Sequence, residues 1–137
     1  MIKYWEKQLS NISEKAEIGE GSVIHAGVHI HDDVKIGMNC QIEAMVFIPN
    51  GVEIEDNVFI GPGVIFTNDP DLKGNRENWQ PTKTLVKKGS RIGANSVIKA
   101  GITIGENSII GMGSVLTHDV PEGETWYGNP AKSNSEV

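Results

Sequence analysis

Only one cysteine, Cys40, occurs in the 137 residues. No internal disulfide can form, which suits a reducing compartment and leads to the expectation of a cytoplasmic protein. Aromatic residues make up 6% of the chain, too few to build a core around large rings. No apolar stretch approaches the roughly 20 residues that span a bilayer. The segment from Met1 to Glu17 lacks an apolar signal core and carries acidic residues. Basic residues never run longer than Lys87-Lys88, and the net charge is −6, so neither a nucleic-acid nor an anionic-membrane surface is expected. What the chain has in quantity is glycine, 16 residues of it. That composition suits tight turns joined by short aliphatic strands, and the length suits one domain.

The aliphatic residues recur every six positions: Ile18, Ile24, Ile30, Ile36, Ile42, Ile48, Ile54 and Ile60, with Phe66 in phase. After an interruption the period resumes at Val86, Ile92, Ile98, Ile104, Ile110 and Leu116. Four residues after each comes a second, smaller position, as in Ser22, Val28, Cys40, Ser90 and Ser96. A helix needs a spacing of 3.6, and a period of six never stays on one helical face. Short strands separated by regular corners do fit. The corners are Gly-Glu-Gly at 19–21, Gly-Met-Asn at 37–39 and Gly-Ala-Asn at 93–95, residues that tolerate unusual backbone angles. A coil of this kind buries its apolar face only by stacking on the next, so stability accumulates coil by coil. Cys40 falls in the inward series and reads as a packed core thiol.

This repeat, from Ile18 to about Lys132, resembles the left-handed β-helix of the hexapeptide-repeat acyltransferase superfamily. The resemblance implies an all-β fold with three repeats per coil and the left hand. The expected architecture is about five coils over residues 18–121, with one extruded loop at 67–83, an N-terminal cap segment at 1–17 and a C-terminal tail at 122–137. Residues 18 apart then stack. The first corner carries Gly19, Gly37, Glu55, Lys87 and Gly105; the second His25, Glu43, Gly61, Gly93 and Gly111; the third His31, Pro49, Thr67, Lys99 and Thr117. Outward strand positions form the stacks His29, Phe47, Ile65 and Val23, Gln41, Phe59, both apolar in part, and Lys35, Glu53, Asp71, which reads as solvated. Apolar stripes on two faces ask for burial against partners and support the homotrimer that the resemblance implies.

In that superfamily the active site lies between subunits beside the extruded loop, and acyl-coenzyme A follows the groove toward the C-terminal coils. Gly93, Ala94, Gly111 and Gly113 are the expected cofactor contacts on the second corner, where bare backbone admits a pantetheine arm. The tail Trp126-Tyr127-Gly128-Asn129-Pro130-Ala131-Lys132 resembles the family's closing motif and makes Lys132 a candidate for a coenzyme phosphate, with Lys99 a weaker one. The stretch Gly61-Pro-Gly-Val-Ile-Phe-Thr67-Asn68-Asp69-Pro70 resembles one that ends in Thr-x-x-His-Pro in sugar O-acetyltransferases, where the His is the base. Asp69 stands in its place. A sugar hydroxyl needs a base to become nucleophilic, whereas a neutral amine does not, so an amine acceptor is favoured. The Phe-Thr-Asn start of the loop and its Trp79 to Thr82 end narrow the resemblance to N-acetyltransferases of nucleotide-linked 3-amino sugars, which serve lipopolysaccharide or other surface glycans.

The expected chemistry is acetyl transfer from acetyl-coenzyme A, as co-substrate, to a sugar amine. Asn68 and Asp69 are the candidate catalytic residues, orienting the amine or collecting its proton. His29, His31, Asn50 and Trp79 are the candidate substrate contacts, and backbone N–H groups near Gly93 would polarise the thioester. Acidic and amide groups at Asp32, Asp33, Asn50, Asn68 and Asp69 form one polar corner. O-acetyl transfer, a catalytically silent trimeric binding module and a γ-carbonic-anhydrase-like metalloenzyme are the alternatives. The last needs three histidines at a spacing that His25, His29 and His31, all in one coil, do not show, so no metal is expected. His118 reads as a surface residue.

Overall fold

An inward aliphatic, an inward small residue and a three-residue corner leave room for strands of only two or three residues. The computed structural model, which describes residues 1–74 and 77–136, is built of such strands on three faces of a parallel solenoid. The first face stacks Lys3–Tyr4, Val23–Ile24, Gln41–Ile42, Phe59–Ile60, Arg91–Ile92, Ile109–Ile110 and Thr125–Gly128, all parallel neighbours. The second stacks Asn11–Ile12, His29–Ile30, Phe47–Ile48, Ile65–Phe66, Val97–Ile98 and Val115–Leu116. The third stacks Glu17–Ile18, Lys35–Ile36, Val52–Ile54, Thr84–Val86 and Thr103–Ile104. Counting coils along the first face gives seven levels, two more than the periodicity suggests. The first arises because Lys3–Tyr4 and Asn11–Ile12 pair with the next coil. The last arises because Thr125–Gly128 pairs with Ile109–Ile110 before Ala131–Ser133 folds back antiparallel on it.

The inward series is buried as expected from Ile24 to Leu116, with Phe66 at the loop's root 0% exposed. Ile18, at the open N-terminal end, is only partly buried. Serine can occupy the small inward position because its hydroxyl finds a corner carbonyl. Ser22 donates to Gly37 O at 2.9 Å, Ser90 to Gly105 O at 2.8 Å and Ser108 to Pro121 O at 2.9 Å, which satisfies the buried donors. Cys40 behaves likewise, its thiol donating to Glu55 O at 3.1 Å. Burial raises the pKa of that thiol and keeps it protonated.

The extruded loop leaves the solenoid after Phe66 and rejoins it at Thr84, which resumes the inward small position and is 2% exposed. The loop resets the count along the third face. Asp71, expected to stack on Glu53, lies exposed in the loop, and Leu85 pairs with Glu53 instead.

Candidate active site

At the third corner, hydrogen bonds lock successive coils together. Asp33 Oδ1 accepts the Gly51 N–H at 2.7 Å, and Asn50 Oδ1 accepts the Asp33 N–H at 3.1 Å. Asn68 Nδ2 donates to Asn50 O at 3.0 Å, and Asn68 O accepts the Thr82 N–H at 2.9 Å, closing the loop at its root. Asp69 faces inward on the loop: its oxygens accept the Lys73 N–H at 3.0 Å and the Gly74 N–H at 2.6 Å. Those amides, that of Gly74 first, with the Trp79 side chain and the Lys73 charge, hold its carboxyl below the usual carboxylate range. Asp69, Trp79 and Thr82 line a cavity of about 540 Å³. The expected residues Asn50, Asn68, Asp69 and Trp79 thus share one corner and its loop.

One coil further toward the N-terminus, His29 and His31 meet Nε2 to Nε2 at 2.6 Å. One ring nitrogen must donate and the other accept, so the pair carries a single proton between the two nitrogens. Both rings rest on Phe47, with centroids 5.3 and 5.6 Å away. Partial burial, and then the neighbouring His31, lower the His29 pKa. With Asn50 and Asp32 the pair lines a cavity of about 280 Å³. Asn50 belongs to this cavity and bonds Asn68, so it links the histidines to the loop.

The second corner is different in kind. Going up the column, Gly61, Gly93 and Gly111 present main chain alone. A Cβ on Gly61 would lie 2.7 Å from Ala94 N, on Gly93 2.4 Å from Met112 N, and on Gly111 2.8 Å from Tyr127 Cβ. Coil stacking therefore suffices to require these glycines, and a bare trough is its consequence. The Gly93 N–H donates to Ile110 O at 2.8 Å and is not free for a ligand, whereas among the described residues the Ala94 N–H has no acceptor. Gly113 sits beside this column with φ of 68°, and a Cβ added there would meet nothing within 4 Å. Lys132 pairs with Tyr127, which returns it to the top of the same column. Lys99 lies instead at the third corner, where its N–H donates to Leu116 O, away from the other five expected cofactor contacts.

Sequence reasoning missed the lower end of the second corner. Glu43 Oε2 accepts from His25 Nε2 at 2.8 Å and from Gln41 Nε2 at 2.9 Å, and Trp5 stacks on His25 at 6.2 Å. The 18-residue spacing of His25 and Glu43 was the available signal. His118 is exposed, as expected. Among the described residues no group of three or more His, Cys, Asp or Glu is placed to hold a metal ion, and no helix is long and apolar enough to cross a membrane.

The sequence matches the bacterial transferase hexapeptide (six repeats) family over residues 15–50, 36–68 and 83–118. It is 48% identical over 55 residues to a dTDP-3-amino-3,6-dideoxy-alpha-D-galactopyranose 3-N-acetyltransferase from Aneurinibacillus thermoaerophilus, covering 40% of this chain and 29% of that protein. A mutant of GDP-perosamine N-acetyl transferase from Caulobacter crescentus, solved with CoA and GDP-perosamine, superposes with a TM-score of 0.82 at 22% identity. That alignment covers 97% of this chain and 57% of the other. A hexapeptide-repeat acetyltransferase from Vibrio cholerae O1 biovar eltor, solved with acetyl coenzyme A, gives 0.73 at 27% identity over 93% of this chain and 72% of the other. The chain thus spans 29% of the Aneurinibacillus protein and a little over half of the Caulobacter one.

Proposed function

Because the chain belongs to the bacterial transferase hexapeptide family, we propose that it transfers an acetyl group from acetyl-coenzyme A to the amino group of a nucleotide-linked sugar, working as a homotrimer. The observation that carries this reading is the division of polar and bare surfaces between two corners. His29, His31, Asn50, Asn68 and Asp69 gather toward the third corner, while Gly93, Ala94, Gly111, Gly113 and Lys132 gather on the second. The two sets are separated by the second face, whose outward stack is Phe47, Ile65, Val97 and Val115. Burying that apolar stripe against a neighbouring copy brings the third corner of one chain to the second corner of the next.

The coenzyme then lies along the glycine trough with its phosphates toward Lys132 and its thioester toward the polar coils. The Ala94 N–H is the candidate donor to the thioester oxygen. As the amine nitrogen bonds to the carbonyl carbon, negative charge collects on that oxygen, and a fixed donor there lowers the barrier. The C–S bond breaks, the coenzyme leaves as thiolate, and the proton lost by the amine goes to the protein. The histidine pair is the better acceptor for it. His29 is held neutral by burial, whereas Asp69 has a lowered pKa and spends both oxygens on loop amides. Asp69 shapes the loop and attracts the amine, and Asn68, its Nδ2 committed to Asn50 O, offers Oδ1 to an amine N–H. Lys99 is left as a contact from the neighbour's side.

The histidine pair also favours a second reading, because a base in the site is what a hydroxyl acceptor requires. A panel of amino-sugar nucleotides and their hydroxyl counterparts, assayed for acetyl-coenzyme A-dependent transfer, separates the two. His31→Asn should lower turnover about 10²- to 10⁴-fold, the range for loss of a general base. Undiminished turnover would remove the pair from the chemistry.

A further inference from the structure

The third corner opens on two sides. Toward the second face, Asp32 and Asn50 line the cavity that holds the two histidines. Their chain neighbours Asp33 and Gly51 line another cavity, of about 480 Å³, on the third face. One corner, two coils high, is all that separates the two. The third-face cavity exists because the loop alters this face. Val52–Ile54 and Thr84–Val86 are three residues long where the other strands of the face have two, and the added pair Val52↔Thr84 carries the sheet to the corner. Leu85 takes the outward place between Glu53 and Thr103, the one apolar side chain in a column that begins Glu17, Lys35. Leu85 gives the cavity an apolar patch, and the exposed Lys35, Glu53 and Lys83 share its lining. Among the described residues neither Lys35 nor Lys83 has a carboxylate within 4.0 Å, whereas Lys15, Lys73 and Lys88 each do. Asp33 spends Oδ1 on the Gly51 N–H, which leaves its Oδ2 without a donor among the described residues.

We propose that this cavity binds the nucleoside diphosphate of the acceptor, so that the substrate straddles the third corner, its amine beside the histidines and its nucleotide on the third face. The proposal rests on the reading of the third corner as the place of the sugar amine. A nucleoside diphosphate has distinct parts, and the cavity has a counterpart for each. Two ammonium groups without acidic partners suit the diphosphate, for which a compact point charge is adequate. Leu85 offers the base an apolar surface from which water is displaced. Glu53, beside Leu85 in the column, can accept from the N–H edge that every common base carries, and Asp33 Oδ2, at the corner, from a ribose hydroxyl. The volume lies within the range of about 300–1,000 Å³ for small-molecule sites. On a chain of net charge −6, which repels polyanions in general, two such lysines set this face apart. Burying the second face against a neighbouring copy leaves the third face open, so the nucleotide enters and leaves without parting the subunits.

The test titrates GDP, UDP, CDP and dTDP separately into the full chain by calorimetry, with melting curves as the folding control. Coenzyme A is present in excess, so that its own site cannot account for the signal. At least one of the four nucleotides should bind the parent. The double variant Lys35→Gln/Lys83→Gln and, separately, Leu85→Asp should each weaken that nucleotide at least tenfold. Lys7→Gln, which removes an exposed charge from the short turn at the N-terminal end, should leave its affinity within twofold of the parent's. A loss in the double variant no greater than in Lys7→Gln, or full affinity in Leu85→Asp, overturns the site. The nucleotide then binds elsewhere, and the nucleotide-linked acceptor stands. If none of the four binds the parent, the nucleotide-linked acceptor itself falls, and the role of this cavity falls with it.

Discussion

Two glycines on the same corner allow the requirement for coil stacking to be separated from the requirement for backbone freedom. Gly113 has φ of 68°, and a Cβ there meets nothing within 4 Å. Gly113→Ala should therefore carry only the conformational cost of placing an L-residue in the left-handed region, about 1–2 kcal/mol. Gly93 needs no positive φ, but its Cβ would lie 2.4 Å from Met112 N, 2.7 Å from Met112 Cα and 2.9 Å from Gly111 C. All three are main-chain atoms and cannot rotate away. The coils are held at this height by the pairs Arg91↔Ile109 and Val97↔Val115 on either side of the corner, so relief has to stretch both ladders. Gly93→Ala belongs at the upper end of the about 1–3 kcal/mol seen for overpacking. At roughly 4 °C per kcal/mol for a domain of this length, Gly113→Ala lowers the melting temperature by about 4–8 °C and Gly93→Ala by about 12 °C. The assay is thermal and urea unfolding at one protein concentration, because an oligomer's melting point depends on concentration. A Gly93→Ala variant no less stable than Gly113→Ala would show that contact between coils does not fix glycine at this column.

The burial that lowers the His29 pKa gives pH effects of defined sign. The unfolded chain takes up the proton more readily, so stability is full above about pH 6.5, the ordinary imidazole value, and falls as the pH drops through the lowered folded value. Transferase turnover should show an acid limb below pH 6.5 that His29→Asn moves or removes, and a limb unchanged in that variant would refute the assignment. Cys40, buried and with a raised pKa, should resist thiol-modifying reagents at neutral pH until the chain unfolds; rapid labelling of the native protein would contradict its place in the core. Ile60→Ala empties a fully buried site between coils and should cost about 2–5 kcal/mol, read from denaturant unfolding. Asp69→Asn keeps the shape but loses the charge that the Lys73 and Gly74 amides solvate. It should loosen the loop, raising KM for the sugar more than it lowers turnover, and an effect on turnover alone would instead point to proton transfer at Asp69.

The solenoid was legible because its inward residues repeat every six positions from Ile18 to Phe66 and again from Val86 to Leu116, and the outermost strands were not because the spacing changes there. Tyr4 pairs with Ile24, 20 residues on, since the short 3-10 turn at Lys7–Leu9 inserts two residues. Ile110 pairs with Trp126, only 16 residues on. A count of 18 finds Ile12, which pairs with Ile30, but neither Tyr4 nor Trp126. The same rigidity of counting put Asp71 on the third face, where the loop hands the place to Leu85. At the site, spacing alone gathered Asn50 with Asn68, because both are corner residues in phase. It did not reveal that His29 and His31 touch, since strand neighbours two apart meet only when the corner bends one ring back over the other. Nor did it give the state of Asp69, which depends on how residues 73 and 74 fold back onto it.

The distribution of residues by height decides how two copies would have to meet. The polar groups run from His29 and His31 in the second coil to Asn68 in the fourth, while the bare column begins with Gly61 in the fourth and ends beneath Tyr127 in the seventh. With coils about 4.8 Å apart, a thioester at the foot of the column stands within one or two coils of Asn50 when neighbouring solenoids run parallel and in register. A three-fold axis parallel to the solenoid satisfies the height requirement at every interface at once. Cross-linking a cysteine placed at Ile65 to one at Phe59 of a neighbour, both outward strand positions of the fourth coil, should therefore yield closed trimers. Linear or two-chain products alone would sink the shared-site argument.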